Sequence, residues 1–261
     1  MKKLVLCLSV ITIIASISSC KKSDPTPKDY FQEAEMSFPQ YGNFHVCTEM
    51  SVDGTHPRGA TLKAKQWTNG SIIKVSLNGG SSFVRNKVIQ YASQWEQFAN
   101  IDFQFVTNDS KAPIRVTFRQ DGSSWSYLGT DAKLIKRGAT MNFGWFNSST
   151  SDQEFSRVAI HEFGHALGMI HEHQHPLASI PWDVNAVYQY YADTQGWSKA
   201  QVDNNIFAKY STSQTNYSTY DQASIMHYPV EEELTIGNFS VGWNTVLSST
   251  DKSFIASVYP K

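Results

Sequence analysis

Residues 161–171 read His-Glu-Phe-Gly-His-Ala-Leu-Gly-Met-Ile-His, and no other stretch restricts the chain as much. His161 and His165 stand four apart, so a helix sets both imidazoles on one face, a turn apart. Side chains placed that way reach a single zinc ion at about 2.0–2.1 Å. Glu162 follows the first histidine, where its carboxylate meets a water held on the metal. Gly168 comes three residues after His165, and glycine tolerates the left-handed backbone that ends a helix. The chain then turns back and offers His171 as a third ligand. Three histidines leave the fourth tetrahedral position open, as in catalytic rather than structural zinc sites. The chemistry implied is hydrolysis, with peptide bonds as the expected substrate. Glu162 takes the proton as a zinc-bound water attacks the carbonyl, then delivers it to the leaving nitrogen. By composition alone, His-Glu-x-x-His arises in roughly one chain in a hundred of this length, and adding Gly168 and His171 lowers that by about several hundredfold. Surface histidines on an ordinary helix are therefore a poor account of the run.

A second motif lies downstream at Ser224-Ile225-Met226-His227-Tyr228. The long histidine motif followed by such a methionine turn is the metzincin signature. On these residues, with Glu172, the chain resembles the astacin-type metalloendopeptidases, in a bacterial lipoprotein form. The likeness runs more loosely from about Lys65 to Tyr259, through Ser124-Trp125-Ser126-Tyr127-Leu128-Gly129 and Thr140-Met141-Asn142-Phe143-Gly144. It implies one zinc on His161, His165 and His171, with Glu162 as general base. It also implies Met226 beneath the metal, Tyr228 as a swinging fifth ligand that steadies the oxyanion, and Glu172 contacting the freed amino terminus of the processed enzyme. Animal astacins carry disulfides in the catalytic domain, whereas this chain has no cysteine after Cys47.

The amino terminus reads as an export signal. Lys2 and Lys3 precede a mostly apolar run from Leu4 to Ile17, too short to span a bilayer comfortably, and Ser18-Ser19-Cys20 follows. Small residues before Cys20 resemble a lipoprotein box, so lipid on Cys20 is expected to anchor the chain at a bacterial membrane, outside the cytoplasm. Simple secretion is the other reading. Residues 1–19 are thus assigned to the signal and 20–62 to a lipidated tether and propeptide. Residues 63–261 form the catalytic domain, with an upper lobe to about 168 and a lower lobe beyond it. An apolar share of 41% and a charged share of 17% suit a folded body, and a net charge of -1 gives no reason to expect nucleic acid.

Cys47 is the one thiol left once the signal is removed and Cys20 lipidated. A thiolate is a strong zinc ligand, so Cys47 is a candidate latch that holds a zymogen inactive. Asp53 in Asp53-Gly54 is a rival latch, and a small buried residue of an extension is the plain alternative for Cys47.

The coarse frame is α+β. Ser71 to Leu77, Ile101 to Val106, Ile114 to Phe118 and Ala139 to Phe146 read as strands. The last of them precedes the histidine motif, and its edge is expected to receive an extended substrate. A long helix is predicted over Phe83 to Phe98, capped by Ser81 or Ser82, and a second over Phe155 to Leu167. A short helix from Lys199 to Phe207 and a last one from about Thr250 to Val258 complete the pattern. This frame is a mixed twisted sheet with two long helices over a mostly irregular lower lobe, the zinc in the cleft between them. His45 and His56 have no partner spacing, His227 is wedged between Met226 and Tyr228 as a structural residue, and His173 and His175 lie past the helix end in an expected solvated turn, so none is assigned to the metal. A rival class is a catalytically silent lipoprotein that keeps the zinc fold to hold peptide or glycan; intact Glu162 and Tyr228 argue against it.

Overall fold

The computed structural model describes residues 46–50, 62–213 and 215–261; the signal, Cys20, His45, Asp53 and His56 lie outside the described residues. Six strands form one mixed sheet in the order β1-β5-β6-β4-β2-β3. In chain order the elements are β1 (Val46–Met50), a single helical turn α1 (Leu62–Lys65), β2 (Ile72–Leu77), α2 (Ser82–Ala92), β3 (Asp102–Val106), β4 (Ile114–Thr117), β5 (Ser123–Tyr127), β6 (Met141–Asn142) and α3 (Asp152–Ala166). Helices α4 (Val184–Gln195), α5 (Lys199–Val202) and α6 (Ser249–Val258) follow. The β-branched run of β2 pairs in parallel with β3 on one side and β4 on the other, and β4 pairs in parallel with β6. β5 reverses against β6, and β1 lies parallel along β5.

Two expectations are corrected here. The stretch from Ala139 to Phe146 yields only the two-residue β6, both residues buried, between β4 and β5. It has no free edge to offer. The chain leaves the ladder because Gly144 presses on the Ser123 backbone, where a Cβ would come within 2.3 Å of the carbonyl oxygen. Phe143 and Phe146 then stack at 4.7 Å inside the core. The sheet ends in β1, which lies along β5, and at its other edge in β3. The predicted helix to Phe98 instead stops at Ala92, and a 3₁₀ turn at Trp95–Gln97 follows. The tighter winding aims Trp95 inward, where its indole N–H donates to the Ile160 carbonyl of α3 at 2.9 Å.

β2, β3, β4 and α3 fall within a few residues of the sequence reading, whereas β1, α1 and β5 are elements that reading does not contain. Ser81 caps α2 by accepting from the Val84 N–H. α2 buries Val84, Val88 and Ala92 beside α3, which is buried from Phe155 to Ala166. The lower lobe holds more helix than expected. α4 begins at Asp183, whose carboxylate accepts from the Asn185 and Ala186 N–H groups, and ends at Gly196 with φ 66. Its apolar stripe is faint because Val187 alone is buried, against a separate cluster with Trp197, Val202, Ile206 and Leu234.

The carboxyl-terminal helix ties both lobes to the motifs. Tyr259 donates its hydroxyl to the Leu167 carbonyl at the end of α3, 2.8 Å away, and accepts from the Trp67 N–H. Asp251 closes a capping box with Ser248 and also reaches the methionine turn. Its carboxylate accepts from the Ser224 hydroxyl at 2.7 Å and the Ile225 N–H at 2.9 Å. Removing a buried carboxylate with partners of this kind strands several donors at once. Asp251→Ala is therefore expected to lower unfolding stability by about 2–4 kcal/mol in urea, with Ser248→Ala costing about 1 kcal/mol.

Candidate metal centre and cleft

The histidine motif folds as α3 for local reasons. Ser151 caps the helix by accepting from the Glu154 N–H, and Asp152 and Glu154 place negative charge in the first turn. Every residue from Phe155 to Ala166 is buried. Gly168 then adopts φ 93, a value that other residues rarely take, and the Met169 N–H returns to the Gly164 carbonyl at 2.9 Å. That reversal brings His171 round to the helix.

The structure brings all three predicted ligands together. The Nε2 atoms of His161 and His171 each lie 3.1 Å from Nε2 of His165. Two zinc–nitrogen bonds at a tetrahedral angle span about 3.3 Å, so the separation suits one shared ion. The far side of two rings is fixed: Nδ1 of His161 donates to the Ile225 carbonyl and Nδ1 of His165 to the Met169 carbonyl, each at 2.8 Å. Those bonds leave unprotonated Nε2 lone pairs facing one another. Burial holds His161 well below the usual imidazole range and His165 at about 4, so both are neutral, the form that ligates. Three converging lone pairs in a dry site need a cation, and the residues fit zinc.

Glu162 is fully buried beside this cluster, and neither carboxylate oxygen has a hydrogen-bond partner of normal geometry among the described residues. Burial raises its pKa well above the carboxylate range, with the Cys47 thiol and Arg157 pulling weakly the other way. Tyr228 lies over the ligands, its ring 4.2 Å from that of His171, and its hydroxyl donates to the Cys47 carbonyl. Met226 is fully buried against α3, so close that a Cβ on Gly164 would meet its sulfur at 2.4 Å.

β1 fills the cleft. Cys47 and Glu49 stand opposite Ser124 and Ser126 of β5, and both are buried. One ligand atom from each of Cys47, His161 and Glu162 falls within 4.8 Å of the others. Burial, reinforced by Glu162, pushes the Cys47 thiol well above its ordinary value in this metal-free arrangement. Glu49 turns toward the ligands, with Oε2 3.8 Å from Nδ1 of His165 and 3.7 Å from Nδ1 of His171. Burial raises Glu49 to about 7, against the pull of the Tyr210 hydroxyl, the Lys65 charge and the His171 N–H.

Glu49, Arg157 and Tyr210 are site residues that sequence reasoning misses. The spacing of Cys47 and Glu49 on an alternating strand is a signal for one of them. Arg157 stands one turn before His161, forked onto Glu154 at 2.8 and 2.6 Å and laid over Trp243 at 4.2 Å. Beside His161 a cavity of about 130 Å³ is walled by Tyr190, Tyr191, Trp197, Tyr228 and Leu234.

Among the described residues the other histidines stay outside the cluster, and His173 and His175, expected in a solvated turn, are instead buried. His173 bonds the Asn205 carbonyl, His175 accepts from the Leu177 N–H, and His227 bridges the Tyr220 hydroxyl and the Tyr228 carbonyl. Glu172 accepts from the Asp221 N–H at 2.8 Å and is raised to about 8 by burial and by the charges of Asp251 and Asp221.

Comparison with known proteins agrees with this geometry. Residues 59–254 match the model of the peptidase family described as Astacin. Protein SpAN of Strongylocentrotus purpuratus is 24% identical over 221 residues, which make up 80% of this chain and 32% of that protein. The chain thus spans about a third of that relative. Two solved structures of myroilysin are similar. One has 60% identity and a TM-score of 0.75 over 78% of this chain and 99% of that chain. The other has 54% identity and a TM-score of 0.63 over 91% and 98%. The hatching enzyme zinc-protease high choriolytic enzyme 1 of Oryzias latipes, the medaka fish, shares the fold at 20% identity and a TM-score of 0.52 over 75% of this chain and 94% of that chain.

A site of this kind is stabilised by its ion. Metal analysis is expected to find one zinc per chain, and zinc at a thousandfold excess over Kd should add about 4 kcal/mol to unfolding stability. Chelation should remove that increment, and His165→Ala should show none of it.

Proposed function

Because the chain belongs to the Astacin family of peptidases, we propose that it is a zinc-dependent endopeptidase made in a latent form. The observation that carries this reading is the fully buried carboxylate of Glu162, with no hydrogen-bond partner of normal geometry among the described residues, beside three converging imidazoles. A carboxylate so placed is useful only to a proton it moves. Zinc held by His161, His165 and His171 would supply Lewis acidity, polarising the scissile carbonyl and lowering the pKa of water toward 7. Glu162 takes the proton of the attacking water and returns it to the leaving nitrogen. Its raised affinity for protons, a consequence of burial, suits the second half of that task. Tyr228 is placed to donate to the oxyanion once its hydroxyl is released from the Cys47 carbonyl. β5 offers the edge on which an extended substrate lies.

Latency rests on β1. What supports this is that one ligand atom of Cys47 lies within 4.8 Å of one from His161 and one from Glu162. A thiolate there would complete the tetrahedron and shut the open position. This supports Cys47 over Asp53 as the latch. Removal of β1 would uncover the edge of β5, free Tyr228 and open the metal together. The buried acids around Glu172 suit an ammonium, which supports its pairing with the new amino terminus. The export signal and Cys20 support a place at the bacterial cell envelope, held by lipid.

The test is hydrolysis of a denatured, fluorescently quenched protein by the zinc-loaded chain before and after light trimming. Turnover is expected to rise on trimming and to fall at least about a thousandfold in Glu162→Ala. Cys47→Ala should be active without trimming; if it stays as silent as the unaltered chain, the latch is wrong. Bound zinc without turnover in any form would point instead to a binding protein. Metabolic labelling with a fatty-acid analogue should mark the exported chain, and Cys20→Ser should abolish the label.

A further inference from the structure

Glu49 is the least expected group in the cleft. A carboxylate 7% exposed, beside the metal ligands and on a strand destined to leave, needs recognition of its own. It has it. Tyr210 donates its hydroxyl to Oε1. The donor does not belong to β1. Tyr210 is pinned by its own N–H to the Gln174 carbonyl at 3.0 Å, within the turn that follows His171. Lys65, paired with Asp131 at 2.7 Å, adds positive potential from the side.

We propose that the Tyr210 hydroxyl forms a carboxylate-accepting subsite, filled by Glu49 in this state and by an acidic substrate side chain once β1 has gone. Any extended peptide on the β5 edge directs alternate side chains to one face, so a residue two places from the one over the three histidines falls where Glu49 now lies. Its carboxylate would meet the same Tyr210 hydroxyl, while an alanine would leave that hydroxyl unpaired. The other cation near the cleft is already spent, since the Arg157 fork is engaged by Glu154. Acid recognition is therefore assigned to the Tyr210 side of the metal. The inference deepens the endopeptidase reading and rests on it.

Two measurements test it. In the zinc-loaded full chain, labelling of the Cys47 thiol reports how firmly β1 is held and needs no turnover. Glu49→Ala and Tyr210→Phe should each speed labelling about five- to tenfold, and the double variant should be no faster than the quicker single. Multiplicative effects would overturn the contact. In the trimmed enzyme, peptides carrying Glu two residues from the scissile bond, on either side in turn, are compared with their Ala counterparts. On one side Glu should be favoured about fivefold or more in kcat/KM, with the ratio falling toward one in Tyr210→Phe. A flat ratio in the unaltered enzyme, or one that Tyr210→Phe leaves unchanged, would overturn the subsite. Loss of all turnover in Glu162→Ala bears on the endopeptidase reading alone, so the two fail separately.

Discussion

The cleft depends on keeping imidazoles neutral and aimed inside a dry interior. Burial alone would settle their charge, but not which nitrogen faces the metal. Backbone carbonyls decide that: Ile225 and Met169 each take an Nδ1 proton, and the Nε2 lone pairs are left to converge. Ile225 is itself held by Asp251 of α6, and Met169 by its return to Gly164. The metal geometry is thus set by backbone that lies far apart in sequence, and the last helix of the chain is part of the active site's support.

Sequence makes the chemistry legible because the ligands are local. His161, Glu162 and His165 sit on one helix, Gly168 supplies the turn, and His171 follows at once. Tyr228 and Met226 are legible through resemblance, as the motif's spacing from the histidines carries no geometry of its own. Gly164 shows the limit. Within a helix it reads as a weak residue costing about 1 kcal/mol against alanine. In the fold it is the only size that admits the Met226 sulfur and the Trp95 ring against α3. Nothing local in the sequence announces a neighbour so far along the chain.

The sheet edge is illegible for a related reason. β5 reads Ser-Ser-Trp-Ser-Tyr, a pattern without an apolar stripe, yet all five residues are buried because β1 and the helices cover them. The Ala139 to Phe146 stretch has the better strand composition, and packing at Gly144 and Phe143 cuts it to two residues. Composition ranks the two segments in the wrong order, since pairing depends on partners that periodicity does not see. Helix α4 escapes periodicity likewise, its aromatic residues being only partly buried on the rim of a second cluster.

Under the proposed latch, the way β1 is held accounts for how so short a strand could close the cleft and still be shed. A strand of five residues with one thiolate and one carboxylate is not a tight ligand when free in solution. Joined to the catalytic body through residues 51–61, it acts at an effective concentration on the order of millimolar, and modest affinity suffices for nearly full occupancy. Cutting the connection replaces that figure with the bulk concentration, lower by about three orders of magnitude or more, with no change in any contact.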